Sequence, residues 1–369
     1  MTTRIVVLGA GYSGQVAAQA AARAKDVAVT LVNDRDRFVE RVRLHQVAAG
    51  EDVRERPLSE LVEGTGIRLV VDRATAVDTD GKAVVLAGGE RVPYDTLVYA
   101  LGSRMDLAAV PGAAEHAHTV AVAEEAERLR ARLRDGDVVT VVGGGLTGIE
   151  AATELAEQRP DLKVRLVTAG VLGAALSEKA RRHLRRAFAR LGIEVRDDVA
   201  VAEVLADGVV LAGGERVPSD VVVWTTGFTV PALAKDAGFA VDAHGRMIVD
   251  ETLRSTSHPD VYGVGDAAAV RKPGGQELRM ACATGLPAAQ QAVRALLARR
   301  DGRAAKPFRF RYVNQCISLG RRDGLIQFVD ADDRPKEAVL TGRLAALYKE
   351  VVVRSAAAVQ RHPSIPTTF

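Results

Sequence analysis

Aromatic residues are scarce: 8 Phe, 6 Tyr and 1 Trp make up 4% of a 369-residue chain. A surface built on base stacking or carbohydrate platforms therefore has few residues to use. The only cysteines are Cys282 and Cys316, too far apart for a C-x-x-C pair or local zinc spacing. A disulfide framework is excluded, a reducing compartment fits, and no metal is expected. No apolar run reaches the roughly 18 residues of a membrane-crossing helix. Met1-Thr-Thr-Arg, followed at once by Ile5 to Leu8, lacks the pattern of a secretory signal. The expected location is the cytoplasm, with a peripheral position at the inner face of a membrane as the alternative. Neither sign of charge dominates, since 50 Lys plus Arg against 47 Asp plus Glu leave +3, too even a balance for a dedicated nucleic-acid binder. With 47% hydrophobic and 26% charged residues the chain reads as an ordinary globular protein, long enough for two or three domains.

Glycine is what the chain has in quantity, and its placement is ordered. Arg4 to Leu8 is a continuous apolar run of the kind found in a parallel strand buried on both faces. It ends in Gly9-Ala10-Gly11-Tyr12-Ser13-Gly14, followed by an alanine-rich, helix-favouring stretch from Gln15 to Ala24 and a second strand, Val27 to Val32, closing on Asn33-Asp34. The pattern then recurs. Val138 to Val142 leads into Gly143-Gly144-Gly145-Leu146-Thr147-Gly148, a helical segment Ile149 to Gln158 and a strand Lys163 to Val167. Each copy continues to the same heptapeptide, Ala87 to Pro93 and Ala212 to Pro218, whose Gly-Gly reads as a hairpin turn. The strands that follow close on Ala100-Leu101-Gly102 and Thr225-Thr226-Gly227. Two related nucleotide-binding modules are the economical explanation. In such a loop the first glycine permits the tight turn, the second lets backbone approach a pyrophosphate, and the third lets helix pack on strand.

A further strand, Asp260 to Val264, ends in Gly265-Asp266 and returns a carboxylate to the first module. A helix is expected from about Pro287 to Ala298. Beyond Lys306 lie strand patterns at Phe308 to Val313 and Leu325 to Val329, then a helical stretch from Thr341 to Gln360. That helix groups Leu340, Leu344, Leu347, Tyr348 and Val351 on one side and Arg343, Lys349, Glu350 and Arg354 on the other. Docking of its apolar side on the protein's own core and lying on a membrane surface are the two readings of this pattern.

The order of first Gly loop, Ala100-Leu101-Gly102, second Gly loop, Thr225-Thr226-Gly227 and Val264-Gly265-Asp266 resembles the two-dinucleotide flavoproteins. The resemblance implies a glutathione-reductase-like α/β fold with two Rossmann-type modules and a short α+β C-terminal tail. It places FAD in the first module and NADH or NADPH in the second. The expected divisions are residues 1–115 and 233–305 for the FAD domain, 116–232 for the NAD(P)H domain and 306–369 for an acceptor or interface region. Phe38 to Gly50 contains no cysteine pair of the kind disulfide reductases use, and Gln46-Val-Ala-Ala-Gly50 is similar to type II NADH dehydrogenases. Arg279 to Leu286 and Ser318-Leu-Gly-Arg-Arg-Asp-Gly324 are similar to the ferroptosis-suppressor or apoptosis-inducing-factor-2-like quinone reductases.

By this resemblance Gly9, Ala10, Gly11, Gly14, Gly102, Gly265 and Asp266 hold FAD, with Asn33 and Asp34 at its ribose and Ala74 at its adenine. Arg43 is the arginine expected near the flavin, and the helix containing Thr284 points its positive end there. Gly143, Gly145, Gly148, Thr168 and Gly227 serve the nicotinamide nucleotide. Thr168 supplies no acid to bond a 2′-hydroxyl or repel a 2′-phosphate, so cofactor choice stays open. Glu150 is expected to face nicotinamide and flavin, and His45 to supply a proton to a reduced acceptor. The expected acceptor is a quinone or quinone-like small molecule, taken up in part by the C-terminal helix. The alternative is a ferredoxin feeding an oxygenase and docking on the Arg-rich stretch Arg181 to Arg190. A second copy of the chain is a further candidate partner.

Overall fold

The computed structural model describes residues 2–365 and 367. The apolar run Thr3–Leu8 is the middle strand of a five-stranded parallel sheet, ordered Val261–Gly263, Thr96–Tyr99, Thr3–Leu8, Val27–Asn33, Arg68–Val71. Its counterpart Val138–Val142 centres a second parallel sheet, ordered Ala117–His118, Val221–Trp224, Val138–Val142, Lys163–Val167, Glu194–Arg196. Strands covered on both faces have no solvent side to make polar, which is why both central runs are almost unbroken Val, Ile and Leu.

Each module also carries a three-stranded antiparallel sheet: Ala74–Asp78, Ala83–Leu86 and Arg91–Pro93 in one, Val201–Leu205, Gly208–Leu211 and Arg216–Pro218 in the other. The repeated heptapeptide makes the same turn twice. Leu86 N–H donates to the Glu90 carbonyl and Leu211 N–H to the Glu215 carbonyl, both at 2.9 Å. Gly89 and Gly214 take φ of +85° and +83°, which a side chain would oppose. A register slip recurs too, between Ala74 and Ala76 and between Val201 and Glu203.

Strand Val261–Gly263 joins the first sheet only after the second module is complete, and this brings Gly265-Asp266 to the first Gly loop. The following helix, Cys282–Arg300, starts earlier than the expected Pro287. Pro287 falls in its second turn, while the first is secured by the Thr284 hydroxyl, which donates toward the Arg279 and Ala281 carbonyls at 2.7 and 2.8 Å. The alanine-rich faces of Tyr12–Ala22 and Cys282–Arg300 share one core, with Val16, Ala17 and Ala21 packed among Ala289, Ala292 and Val293.

The tail departs from expectation in two places. Phe308 to Val313 is extended but pairs with no strand among the described residues. Its alternation is real, with Phe308 and Tyr312 buried, but the burial comes from packing in the core of the first module and from the Arg279 guanidinium 4.7 Å over the Tyr312 ring. Period-two alternation marks a half-buried extended chain without specifying a neighbour strand. Conversely, Pro335–Thr341 is a strand, completing an antiparallel sheet with Asn314–Ser318 and Gly324–Val329, so Leu340, expected on the last helix, instead pairs with Ile326. The helix Arg343–Arg361 closes the chain.

Ile317, Leu319 and Leu325 of the tail share a core with Ile149 and Leu155 of the second module and with Leu44, Ala48 and Ala49. The last three belong to a short helix, Leu44–Ala49, that leaves the first module after the 3₁₀ turn Arg41–Arg43. Three parts of the chain thus converge on one face of helix Leu146–Gln158.

Candidate active site

The two Gly loops have the same geometry, position for position. Gly9 and Gly143 have φ of +100° and +119° and press on the strand ends behind them: a Cβ would stand 2.6 Å from the Ala100 carbonyl oxygen and 2.7 Å from Thr225 Oγ1, respectively. At the third glycine a Cβ would stand 1.8 Å (Gly14) or 1.9 Å (Gly148) from the carbonyl oxygen of the first. At the second, Gly11 and Gly145, a Cβ would meet nothing within 4 Å. The outer two glycines therefore serve packing, and the middle one keeps the helix N-terminus bare. This is the cradle that a dinucleotide pyrophosphate fits.

At the first loop three segments meet. Ser13 Oγ would lie 2.9 Å from a Cβ at Gly265 and 2.5 Å from one at Gly285, so the N-terminal ends of helices Tyr12–Ala22 and Cys282–Arg300 close on the Gly265 turn. Asp266 sits there, accepting a 2.7 Å hydrogen bond from Ser103 Oγ and lying 3.6 Å from Arg41 Nη1. Arg41 also donates to the Ser103 carbonyl at 2.7 Å and lies over the Phe228 ring. Arg41, not Arg43, is thus the arginine beside Asp266. Within the 3₁₀ turn the two side chains leave in different directions, and Arg43 reaches Glu40 (3.0 Å), Gln46 (3.1 Å) and Glu350 (2.7 Å) instead. Gly102 and Gly227 end facing strands, and immediately beyond them Arg104–Met105 and Phe228–Thr229 pair to stitch the modules together.

Asn33 has a local duty. Its Oδ1 accepts from the Ala10 N–H and its Nδ2 donates to the Arg35 carbonyl, both at 2.9 Å, so the amide holds the Gly loop in shape. Asp34 is exposed beside it and pairs with Arg35. Ala74 opens its hairpin opposite Leu86. In the second module Thr168 packs on the loop, with Oγ1 2.6 Å from where a Gly144 Cβ would be.

Glu150 lies one turn into helix Leu146–Gln158, and its Oε1 accepts from the Ser318 N–H at 2.9 Å and from Lys349 Nζ at 2.8 Å. Burial pushes its carboxyl up, but the Lys349 ammonium, His45 and the Ser318 N–H outweigh that and hold it below the ordinary carboxylate range. Lys349 also donates to the Cys316 carbonyl at 3.0 Å. Burial disfavours its charge, yet Glu150 keeps its pKa above the ordinary lysine value. Cys282, at the start of the helix facing Asp266, feels the charges of Asp266, Arg41 and Lys349 together. The ion pair and the Asp266 cluster therefore border one region. Burial pushes Cys282 up to about 12 and Cys316 up to about 11, so neither thiol is a nucleophile at neutral pH. His45 is buried beside Glu154, one turn from Glu150 on the same helix, and is lowered to about 4 by burial.

Lys349 and Glu350 exclude one of the two readings of the C-terminal helix, docking of its apolar side on the core. Their charges turn inward, to Glu150 and Arg43, whereas Leu344, Leu347 and Val351 are 68, 61 and 55% exposed. The apolar side does not dock on the core. An amphipathic pattern defines two sides of a helix but not which one meets the protein, and here Glu150 and Arg43 receive the charged side through Lys349 and Glu350. Lys349 is thus a site residue that sequence reasoning assigned to solvent.

A model of the pyridine nucleotide-disulphide oxidoreductases matches residues 3–295. An NADH dehydrogenase-like protein of Mycobacterium tuberculosis is 34% identical over 77% of this chain and 78% of its own length. The demethylphylloquinone reductase NdbB of Synechocystis is 25% identical over 94% of this chain and 92% of its own. A probable ferredoxin reductase, CtmF of Castellaniella defragrans, is 32% identical over 82% and 77%. The sulfide:quinone oxidoreductase of Aquifex aeolicus superimposes with a TM-score of 0.83 at 22% identity, covering 98% of this chain and 92% of that one. Paired dinucleotide cradles on a shared fold, matched along most of the chain, make this protein an FAD-dependent enzyme that oxidises NAD(P)H and a member of the pyridine nucleotide-disulphide oxidoreductase family.

Proposed function

We propose that the enzyme passes electrons from NAD(P)H to a quinone-like small molecule, and, within its family, that it stands with the ferroptosis-suppressor or apoptosis-inducing-factor-2-like quinone reductases. The observation that carries this reading is the inverted C-terminal helix: one element presents an apolar stripe outward and a half-buried ammonium, Lys349, inward to Glu150. A quinone needs an apolar approach and a proton as well as electrons, whereas a ferredoxin needs electrons alone. The named reductase of demethylphylloquinone among the relatives supports the same choice. The Arg-rich helix expected to dock an acidic protein is largely neutralised, because Arg182, Arg185 and Arg190 pair with Glu178, Asp197 and Asp323.

Gly9, Gly11, Gly14, Asp266 and Arg41 would hold FAD, and Gly143, Gly145, Gly148 and Thr168 the nicotinamide nucleotide. FAD supplies the hydride-accepting and electron-passing chemistry when bound. The protein's own residues orient and protonate. Asp266 offers acceptor oxygens suited to ribityl hydroxyls, and the N-terminus of Cys282–Arg300 offers positive potential to developing negative charge. Glu150 and Lys349 exclude water and hold a proton at Nζ. The domain divisions at 115, 232 and 305 are part of the proposal, supported by Ala117–His118 joining the second sheet and Val261–Gly263 the first. The test is steady-state NAD(P)H oxidation with a short-chain ubiquinone and with an oxygenase-type ferredoxin. The reading expects the quinone kcat/KM to be at least about tenfold the higher, and the reverse order replaces it with the ferredoxin reading.

A further inference from the structure

We propose that Glu154 and His45 form a proton relay that carries protons from solvent at Glu51 to the Glu150–Lys349 pair. The proposal rests on the quinone-like acceptor, whose reduction is the step that consumes protons.

Glu154 lies one helical turn beyond Glu150 on the same face of Leu146–Gln158, and its side chain has no exposed surface. Oε1 is 2.9 Å from Arg321 Nε and 3.5 Å from Gln158 Nε2. Among the described residues Oε2 has no hydrogen-bond partner, and it faces His45 Nε2 at 3.8 Å, which has none among them either. Two buried polar atoms that face each other and are both left unsatisfied are a costly arrangement, on the order of 1–3 kcal/mol for each group. A small closure of the gap with a proton between them satisfies both. That proton is the transferable one.

The chain of groups continues in both directions. Outward, Glu51 is 30% exposed, lies 3.7 Å from Arg321 Nε and accepts from Gln158 Nε2 at 3.3 Å, so Arg321 and Gln158 each bridge Glu51 to Glu154. Inward, the short helix carrying His45 packs on Leu146–Gln158, where Glu150 stands one turn before Glu154 and holds Lys349, and the charges of Glu150, Lys349, Arg321 and Arg43 all act on the ring. The groups around Glu154 are Arg321, Glu51 and Glu157. Burial pushes the Glu154 carboxyl up to about 7, with Arg321 opposing and the two glutamates adding to the rise. Burial lowers His45 to about 4, so the ring is neutral and carries a second proton only in passing.

The balance is simple. The reaction NAD(P)H + H⁺ + quinone → NAD(P)⁺ + quinol takes one proton from solvent per turnover. Glu154 releases its proton to His45 Nε2, His45 gives up the proton of its other ring nitrogen to the Glu150–Lys349 pair, the pair protonates the acceptor oxygen, and water entering beside the partly exposed Glu51 reprotonates Glu154, while Arg321 and Gln158 hold the two carboxylates and carry no proton themselves. None of these residues is oxidised or reduced.

The experiment uses the flavin-loaded full chain and compares turnover with a short-chain ubiquinone, which consumes a proton, and with ferricyanide, which does not. Glu154→Gln keeps the shape and an oxygen for Arg321 but carries no transferable acid. The relay expects its quinone-to-ferricyanide rate ratio to fall at least about tenfold, the decline of that ratio as pH rises through about 7 to vanish, and Glu154→Asp to recover part of both. If Glu154→Gln does not retain flavin, His45→Gln reads the same ratio. A ratio within about twofold of wild type with the pH limb intact, or equal loss with both acceptors, overturns the relay. A wild type that turns over ferricyanide and no quinone overturns the acceptor reading and the relay with it, whereas a wild type active on quinone whose ratio ignores these variants overturns the relay alone.

Discussion

A single carboxylate, Asp266, stands where two helix N-termini and the Gly265 turn meet, held by Ser103 and flanked by Arg41. In the proposed FAD site the ribityl hydroxyls need an acceptor there, and alanine offers none. Asp266→Ala is expected to emerge from gel filtration with most of its FAD absorbance lost, a weakening of at least about tenfold, or ~1.4 kcal/mol; full flavin occupancy would remove Asp266 from the site. Thr168 is the equivalent decision point for the second nucleotide. It packs on Gly144, bears no charge and is only partly exposed. NADH and NADPH are therefore expected to differ by less than about tenfold in kcat/KM, and Thr168→Glu to shift the ratio toward NADH by repelling a 2′-phosphate. A wild-type preference of about a thousandfold would mean that another residue selects.

At the scale of elements, the legible parts were those where backbone geometry demands a particular residue. Gly9, Gly14, Gly143 and Gly148 occupy positions where a Cβ has no room, so their spacing announces the strand, turn and helix around them. The repeated heptapeptide did the same for the hairpins. What stayed illegible depends on partners distant in the chain. Arg41 and Arg43 are equivalent in sequence until Asp266 and Glu350 are placed around them. Lys349 looks like a solvent residue until Glu150 stands opposite, and Glu154 like an ordinary helix glutamate until Arg321 arrives from the tail turn. Asp323 belongs to the same class. It accepts from His183 (3.0 Å), Arg190 (2.7 Å), Gly324 N–H (2.8 Å) and Gly342 N–H (3.0 Å), so one carboxylate clamps the tail turn to helix Glu178–Arg190. Burial pushes it up, but His183 and Arg190 outweigh that and bring it down to about 2. A folded pKa below the unfolded one gives stability that is complete above the ordinary carboxylate range and is lost as pH falls toward 2. Asp323→Ala is expected to lower unfolding free energy by about 2–4 kcal/mol at neutral pH, measured in urea, and to flatten the acid limb. An unchanged midpoint would show that the tail is held by its apolar core alone.

At the scale of the whole molecule, the outward stripe of the C-terminal helix is a feature that the described residues leave uncovered. Leu344, Leu347, Tyr348, Val351 and Val352 are exposed along one side of a single helix. Among the described residues no helix is long and apolar enough to cross a membrane. The stripe lies on the opposite side of the helix from the Lys349–Glu150 pair, so an apolar surface and the proton-holding pair are separated by the thickness of one helix. A protein that takes electrons to a lipid-soluble acceptor has to meet the acceptor where it dissolves, and an interfacial helix does this without spanning anything. The paired variant Leu344→Glu with Leu347→Glu removes apolar area and adds charge at positions that touch no core residue, so folding and flavin content are expected to be unaffected. Sedimentation with phospholipid vesicles should then fall at least about tenfold, consistent with the loss of two side chains worth roughly 1.5–3 kcal/mol each when buried. Turnover of a long-chain quinone held in those vesicles should fall with it, while turnover of a short-chain quinone in water stays within about twofold. Equal loss with both quinones would instead place the stripe in the acceptor's binding pocket, and no loss with either would leave it as surface that the acceptor never meets.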